Sequence, residues 1–138
     1  MPMLKANGRE RGGSVINMSS VAGRLGMGMR TPYSAAKWAV VGFTKSLALE
    51  AGPDGIRVNC IQPGNVEGER IDRVIEAKAK AFGVSFEQQR QTLLDTTSLH
   101  TFVTAQDVAN MALFLATDAG KRISGQALSV CGDLQVYN

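Results

Sequence analysis

The chain has 138 residues, which is enough for one ordinary domain and too few for two. Hydrophobic residues make up 44% of it and charged residues 20%, a globular composition that excludes intrinsic disorder. The 15 basic and 12 acidic residues leave a net charge of +3. Since this excess is small and spread along the chain, we expect no nucleic-acid partner.

Few residues are available for metal or disulfide chemistry. Cys60 and Cys131 are too few for a disulfide scaffold and too isolated for a zinc site, and His100 alone excludes a multi-histidine centre. We therefore expect no metal. No apolar run approaches the roughly 20 residues that span a bilayer, and the first residues lack the apolar stretch of a signal peptide. These features predict a reduced, cytoplasmic protein without membrane contact.

The first part of the chain predicts a helix end, a strand and a long helix. Residues 3–6, followed by Gly8, are typical of the last turn of a helix with its C-cap glycine. Residues 14–18 predict a short buried strand. A helix with an apolar side is predicted from near Tyr33. The Gly-Pro-Asp-Gly of 52–55 ends it, because glycine and proline do not continue a helix.

The second part of the chain predicts two more strands separated by several helices. Residues 56–61 predict a strand, and the apolar residues between 71 and 82 have the spacing of an amphipathic helix. Residues 85–88 form a capping box that opens another helix, and 104–107 mark the start of a further one. A last strand is predicted at 127–130.

This alternation of short apolar strands and helices predicts parallel βαβ units and an α/β layer fold. Three parallel strands make a small sheet, whereas parallel sheets usually have both faces covered and belong to a larger body. The pattern therefore predicts a single partial domain, residues 1–138, that begins partway through a fold.

Tyr33 and Lys37 form the candidate catalytic pair. They are four positions apart on a predicted helix, so both side chains share one face. A tyrosine hydroxyl has a reference pKa of about 10, and a neighbouring ammonium favours its ionised form. The pair can therefore act as a tuned proton donor or acceptor. Taken alone, the same spacing also describes a half-buried aromatic ring beside a surface lysine.

Ser20 extends this candidate site. Ser19 and Ser20 follow the first predicted strand at its carboxyl end, where ligands bind in open α/β sheets. Ser20 lies 13 positions before Tyr33, across a glycine-containing loop that can return the chain to the same place. Its hydroxyl can hydrogen-bond a substrate oxygen, and the alternative is a cap or turn residue.

Several motifs, in this order, resemble the classical short-chain dehydrogenases/reductases, and the resemblance covers essentially the whole chain. It implies the C-terminal, catalytic half of a Rossmann-type doubly wound parallel sheet, here three strands with flanking helices. The family's first, nucleotide-binding half is absent, with its Gly-x-x-x-Gly-x-Gly loop and its upstream catalytic asparagine. The matching motifs are Ser19-Ser20-Val21-Ala22-Gly23, Tyr33-Ser34-Ala35-Ala36-Lys37, Asn59, Pro63-Gly64, Asp107-Val108-Ala109 and Ser124-Gly125-Gln126.

The resemblance also implies residue roles. Ser20 would orient and polarise the carbonyl or alcohol oxygen, and Tyr33 would exchange a proton with that oxygen. Lys37 would favour the ionised tyrosine and hydrogen-bond the nicotinamide ribose, while the backbone after the second strand would bond the carboxamide. The cofactor contacts implied in this way are Tyr33, Lys37, Pro63, Gly64 and Val66.

Two positions depart from the family pattern, and one motif is misleading. Gly68 stands where the family often has a threonine that touches the cofactor, and Cys131 replaces the acid of a final Val-Asp-Gly-Gly. Residues 23–28 look like a nucleotide fingerprint. Their spacing is not Gly-x-Gly-x-x-Gly, and no helix opens within them, so we interpret them as the backbone of a substrate loop.

The remaining prominent residues have simpler interpretations. Trp38 and Phe43 are expected in the core or at a subunit interface, and His100 on the surface. By resemblance, residues 67–82 cover the substrate, and together with 85–94 they are expected to determine which substrate is chosen.

The predicted function is hydride transfer between NAD or NADP and a small-molecule carbonyl or secondary alcohol. A sugar, a polyol, a hydroxy acid and an acyl ketone all remain open as substrates, and the full-length context implies a homo-oligomer, either a dimer or a tetramer. One alternative is a non-catalytic remnant or interaction fragment of such an enzyme. Another is a hydrolase that uses Ser20 and Lys37.

Overall fold

A computed structural model describes residues 2–6 and 12–135 of the chain. Within these residues three strands form one parallel sheet in the order β1-β2-β3. The strands are β1 (Gly13–Met18), β2 (Ile56–Pro63) and β3 (Ala127–Val130). The prediction of an α/β fold with three parallel strands is confirmed, and β2 is two residues longer than the sequence predicted.

Helices flank this sheet. They are α1 (Pro2–Ala6), α2 (Thr31–Ala51), α3 (Glu69–Phe82), α4 (Phe86–Leu94) and α5 (Ala105–Ala116). The long helix α2 begins two residues before Tyr33, with a proline in its first turn, where a missing N–H costs nothing. The predicted C-cap at Gly8 lies outside the described residues.

Local sequence signals set the helix ends. A single 3₁₀ turn, Gly52–Asp54, follows α2, and Gly55 then takes the left-handed conformation with φ of 75° before β2 begins. The capping box of α4 is formed by Ser85 and Gln88, as predicted. Thr104 and Asp107 form the second one at α5. Each box pairs two backbone N–H groups that the helix itself leaves without acceptors.

Apolar side chains bury the contacts between the layers in three clusters. The first packs α2 on the sheet, the second packs α3 on α4, and the third lies where the chain leaves β1 and β3. The buried members are Ala51, Ile56 and Val58 in the first, Ile75, Leu93, Leu94 and Phe102 in the second, and Val21, Cys131 and Leu134 in the third. The second cluster makes α3 and α4 one unit.

One side of α2 is largely exposed to solvent, and one edge of the sheet is not covered by the described residues. Thr44 and Ala51 are the buried residues of this 21-residue helix. Trp38, Phe43 and Leu49 are 52%, 58% and 81% exposed, so neither aromatic ring belongs to the core formed by the described residues. In the described part of the chain, β1 pairs with β2 alone. None of the described helices combines the length and apolar character needed to cross a membrane.

Candidate active site

The carboxyl ends of β1 and β2 lie side by side and carry the candidate site. Met18 of β1 is in register with Ile61 of β2, and the backbone N–H of Ser19 donates to the carbonyl of Ile61 at 2.8 Å. The sheet thus continues one residue beyond β1 before the chain turns away. Ser20 therefore lies at the carboxyl edge of the sheet, where open α/β folds bind ligands.

Ser20 caps a buried 3₁₀ turn. Its backbone is extended, and its Oγ accepts a hydrogen bond from the Ala22 N–H at 3.2 Å. Val21 and Ala22 are fully buried, whereas Ser20 retains 8% exposure. The cap role expected as an alternative is thus present. It leaves the hydroxyl proton of Ser20 free for another acceptor, because an oxygen that accepts can also donate.

Tyr33 and Lys37 lie together on the first turns of α2. The Lys37 Nζ is 5.7 Å from the centre of the Tyr33 ring and donates to the Met18 carbonyl at 3.1 Å. Lys37 thus reaches from the helix to the end of β1, two residues before Ser20. The ammonium lies beside both the tyrosine ring and the strand end, which joins the two predicted parts of the site.

The close approach of α2 to the serine loop depends on Gly23. Ser19 Oγ donates to the Lys37 carbonyl at 2.8 Å, which fastens the loop to the helix. A Cβ atom built on Gly23 would lie 2.8 Å from that same carbonyl oxygen, closer than real Cβ contacts allow. The sequence marks this glycine only as part of a loop, because the helix that meets it begins eight residues later.

The loop after β2 is held from both sides. The Gly64 N–H donates to the Val130 carbonyl at 2.9 Å, which extends the pairing of β2 with β3. Val66 forms a parallel bridge with Val103, and the Glu67 N–H donates to the Val103 carbonyl at 2.8 Å. The structure thus brings the predicted Pro63–Val66 stretch to the same carboxyl edge of the sheet as Ser20.

Asn59 has a structural role that the sequence does not reveal. The side chain is fully buried, its Nδ2 donates to the Ile123 carbonyl at 2.9 Å, and its Oδ1 accepts from the Gln126 N–H at 3.0 Å. It therefore satisfies the backbone just before β3 and sets the register of that strand. A buried asparagine with both ends paired is positioned to hold the sheet, not to touch a substrate.

Other polar candidates are less well suited to catalysis. Burial raises the pKa of the Cys60 thiol, against smaller opposing effects of the Thr44 hydrogen bond and the Lys45 charge, which disfavours a nucleophilic thiolate. His100 is exposed, as predicted, with its Nδ1 3.4 Å from Asp95. Across residues 2–6 and 12–135, no group of three or more acidic, histidine or cysteine side chains is arranged to hold a metal ion.

The hydrolase alternative requires Lys37 to activate Ser20, and the hydrogen bonds do not form that pair. Lys37 Nζ donates to Met18 and Ser20 Oγ accepts from Ala22. Both nitrogen and oxygen are thus engaged with backbone groups. The contacts associate Lys37 with Tyr33 instead.

This geometry is that of a Rossmann-type α/β protein whose polar groups gather at the carboxyl edge of its sheet. Residues 2–133 match the family model described as enoyl-(acyl carrier protein) reductase. A protein of Streptomyces virginiae named as a ketoacyl reductase of the monensin polyketide synthase is 41% identical over 91% of this chain and 48% of its own length. The 3-oxoacyl-[acyl-carrier-protein] reductase FabG of Chlamydia trachomatis is 36% identical over 96% of the chain and 48% of its own length.

Solved structures agree with these relatives. The L-sorbose reductase of Gluconobacter frateurii, complexed with NADPH and L-sorbose, superimposes with a TM-score of 0.85 at 28% identity. The match covers 96% of this chain and 50% of that enzyme. The chain therefore belongs to the short-chain dehydrogenase/reductase family, and it spans about half the length of the curated relatives that it matches.

Proposed function

We propose that this chain supplies the catalytic half of an NAD(P)-dependent reductase or dehydrogenase that interconverts a ketone and a secondary alcohol. The observation that carries the proposal is the Lys37 ammonium. It lies 5.7 Å from the Tyr33 ring and donates to the last carbonyl of β1, two residues before Ser20. A candidate proton-transfer group, a cation beside it and a hydroxyl donor thereby share one edge of the sheet.

In the reductive direction, Tyr33 is the proton donor. Its hydroxyl gives a proton to the carbonyl oxygen of the substrate, and the resulting tyrosinate is stabilised by the positive charge of Lys37. The free proton of Ser20 Oγ donates to the same substrate oxygen and orients it. A bound nicotinamide would supply the hydride to the carbonyl carbon, so that the ketone becomes an alcohol and the cofactor is oxidised.

The residues present fit the nicotinamide end of such a cofactor. Within the described ranges, the Met18 carbonyl is the one hydrogen-bond acceptor of Lys37 Nζ, and an ammonium has three N–H donors. Two donors are thus left for ribose hydroxyls. The backbone of Pro63 to Val66, held against β3 and Val103, would meet the nicotinamide ring and its carboxamide.

The substrate itself is proposed only as a class. Ketoacyl groups and a ketose appear in the names of the relatives, and both contain the carbonyl that the chemistry requires. The unit formed by α3 and α4 follows the Pro63–Val66 stretch directly and would cover that carbonyl.

A chimera tests the proposal. The amino-terminal half of the Streptomyces virginiae relative, joined ahead of this chain, would supply the part of that relative which this chain does not match. We expect the chimera to oxidise NADPH or NADH in the presence of a 3-oxoacyl thioester or a ketose, as followed by nicotinamide absorbance. The Tyr33→Phe chimera should bind the cofactor equally well and turn over little substrate.

Cofactor binding separates a failed fold from a wrong proposal. A chimera that binds NADPH, as measured by calorimetry, but reduces none of these ketones would contradict the reductase assignment. Equal turnover by the Tyr33→Phe chimera would instead show that another group donates the proton.

A further inference from the structure

Arg24 connects the loop that carries Ser20 to the far end of the chain. Its backbone N–H donates to the Val21 carbonyl at 3.0 Å and closes the 3₁₀ turn that Ser20 caps. Its guanidinium Nη2 donates to the Leu134 carbonyl at 2.6 Å and lies 3.6 Å from the Cys131 Sγ. These two side-chain contacts bridge more than a hundred positions of sequence.

The segment that Arg24 grips, residues 131–135, touches the other parts of the candidate site. A Cβ atom on Gly64 would lie 2.8 Å from the Cys131 Cβ, so the turn after β2 packs directly on Cys131. The N–H groups of Ser98 and Leu99, in the stretch after α4, donate to the carbonyls of residues 133 and 132. The segment therefore joins the serine loop, the Pro63–Gly64 turn and the end of the α3–α4 unit.

The guanidinium is incompletely paired in this position. In the part of the chain that the structure describes, Arg24 Nε is buried without a hydrogen-bond partner. The nearby Cys131 offers only a thiol, which is a weak acceptor, at the position where the family resemblance leads one to expect an acid. A carboxylate there could accept from Nε and Nη2 together, in the two-bond geometry that arginine favours.

We propose that Arg24 is a positioning residue that holds the Ser20 loop against the segment after β3 and, through Cys131, against the Pro63–Gly64 turn. It acts through the loop and the turn that its contacts hold in place. It sets the distance between the loop that orients the substrate oxygen and the turn that meets the nicotinamide. The consequence for catalysis rests on the proposed function, whereas the contact itself does not.

The first test is a thermodynamic cycle on the 138-residue chain. In the presence of Arg24, the change Cys131→Asp should raise the melting temperature, because the carboxylate gains two charge-assisted hydrogen bonds. In the Arg24→Met background, the same change should lower it by at least about 5 °C, because the carboxylate is then buried without a partner. If Arg24 served only to fill space, Cys131→Asp would be equally harmful in both backgrounds, and the proposal would be wrong.

The second test locates the effect within the chain. In the Arg24→Met variant, amide hydrogen exchange should accelerate about tenfold or more in residues 22–25, 64–66 and 132–135, and remain unchanged in α3. Arg30→Met is the matched control, since Arg30 lies in the same loop, is exposed and makes no side-chain cap hydrogen bond. Uniform acceleration across the chain, or none, would overturn the positioning role.

The two tests need no turnover, so they separate this inference from the proposed function. In the chimera described above, Arg24→Met should lower kcat by about tenfold with little change in the KM for NADPH. If the exchange result holds while no chimera reduces a ketone, the contact stands and the proposed function fails. If turnover is unchanged in Arg24→Met, Arg24 positions nothing that catalysis requires.

Discussion

The carboxyl edge of the sheet buries polar side chains, whereas one side of α2 exposes apolar side chains. At the edge, Ser19 and Ser20 are more than nine-tenths buried, and each makes a hydrogen bond. On the exposed side of α2, the large apolar side chains of Trp38, Phe43 and Leu49 are more than half exposed. The same helix contributes to both regions, since Tyr33 and Lys37 begin it and Leu49 lies near its end.

The two regions differ in how far the described residues pair or cover their own side chains. Ser19 and Ser20 can remain buried at the edge because each of them is hydrogen-bonded there. A broad exposed apolar surface is characteristic of an interface. Among residues 2–6 and 12–135, β1 also has no strand on its outer edge, and exposed backbone groups of that kind invite pairing with another chain. The described residues thus combine a hydrogen-bonded polar edge with an apolar side of α2 that we expect a second chain to cover.

The largest expected effect on turnover lies at the carboxyl edge of the sheet. Tyr33→Phe in the chimera keeps the ring packing and removes only the hydroxyl that carries the proton. Since general acid–base groups contribute about 10²–10⁴-fold, kcat should fall by that factor, while the melting temperature stays within about 2 °C. Steady-state kinetics and thermal unfolding measure the two quantities. A variant that retained most of its turnover would break the link between this edge and catalysis.

Removal of the charge of Lys37 should have the next largest effect. In Lys37→Met, kcat should fall by about tenfold or more, because the negative charge left on the Tyr33 oxygen after proton transfer loses its neighbouring cation. Cofactor affinity should fall as well, since the proposed ribose donors are lost. Lys45→Met is the control, because Lys45 donates to the Gly125 carbonyl, away from the tyrosine. Unchanged turnover with unchanged cofactor affinity would make Lys37 an ordinary surface residue.

The exposed side of α2 and the outer edge of β1 lead us to expect self-association of the isolated chain. We also expect the isolated chain to bind the cofactor weakly. We expect NADH and NADPH to bind the 138-residue chain poorly, because its described residues contain no glycine-rich turn at a helix N-terminus to hold the pyrophosphate. Calorimetric titration measures this directly. Micromolar binding of either cofactor by a stable monomer would contradict the expectation.

Self-association has its own test on the exposed side of α2. Leu49→Lys should weaken the association, measured by sedimentation equilibrium, by about tenfold, since burial of one leucine contributes roughly 1.5–3 kcal/mol. Leu99→Lys is the matched control, because Leu99 is 69% exposed but lies in the stretch after α4. Equal effects of the two changes would show that exposure alone, and not this side of α2, drives association.

The smallest expected effect concerns the cap of α5, which lies in neither region. The Thr104 backbone N–H, followed by its hydroxyl, holds the pKa of Asp107 below its usual range. A lowered folded-state pKa contributes stability above the unfolded-state pKa, and this contribution is lost as the pH falls through the folded-state value. The melting temperature of the native chain should therefore exceed that of Asp107→Asn at neutral pH, and the gap should close on acidification. A gap that stayed constant down to acidic pH would contradict this account of the cap.

The sequence alone was sufficient for everything that depends on near neighbours along the chain. The two capping boxes follow from residues three positions apart, and the Tyr33–Lys37 pair from residues four positions apart on a helix. The three strands were predicted because short apolar runs alternate with helices, and a parallel sheet requires helical crossovers. Local periodicity and turn chemistry carry this information without reference to the rest of the fold.

Only the tertiary structure decided which distant residues meet. Nothing in the pattern indicates that Gly23 must lack a side chain for α2 to approach, or that Asn59 pairs with the backbone before β3. The sequence predicts that Trp38 and Phe43 lie in the core or at an interface. In the structure both side chains point away from the core formed by the described residues. From the sequence Arg24 is only a loop residue, and the structure alone shows its contacts with Cys131 and Leu134. The physical reason is the same in each case: packing joins segments far apart in sequence, and periodicity records only which face a residue occupies, not what lies against it.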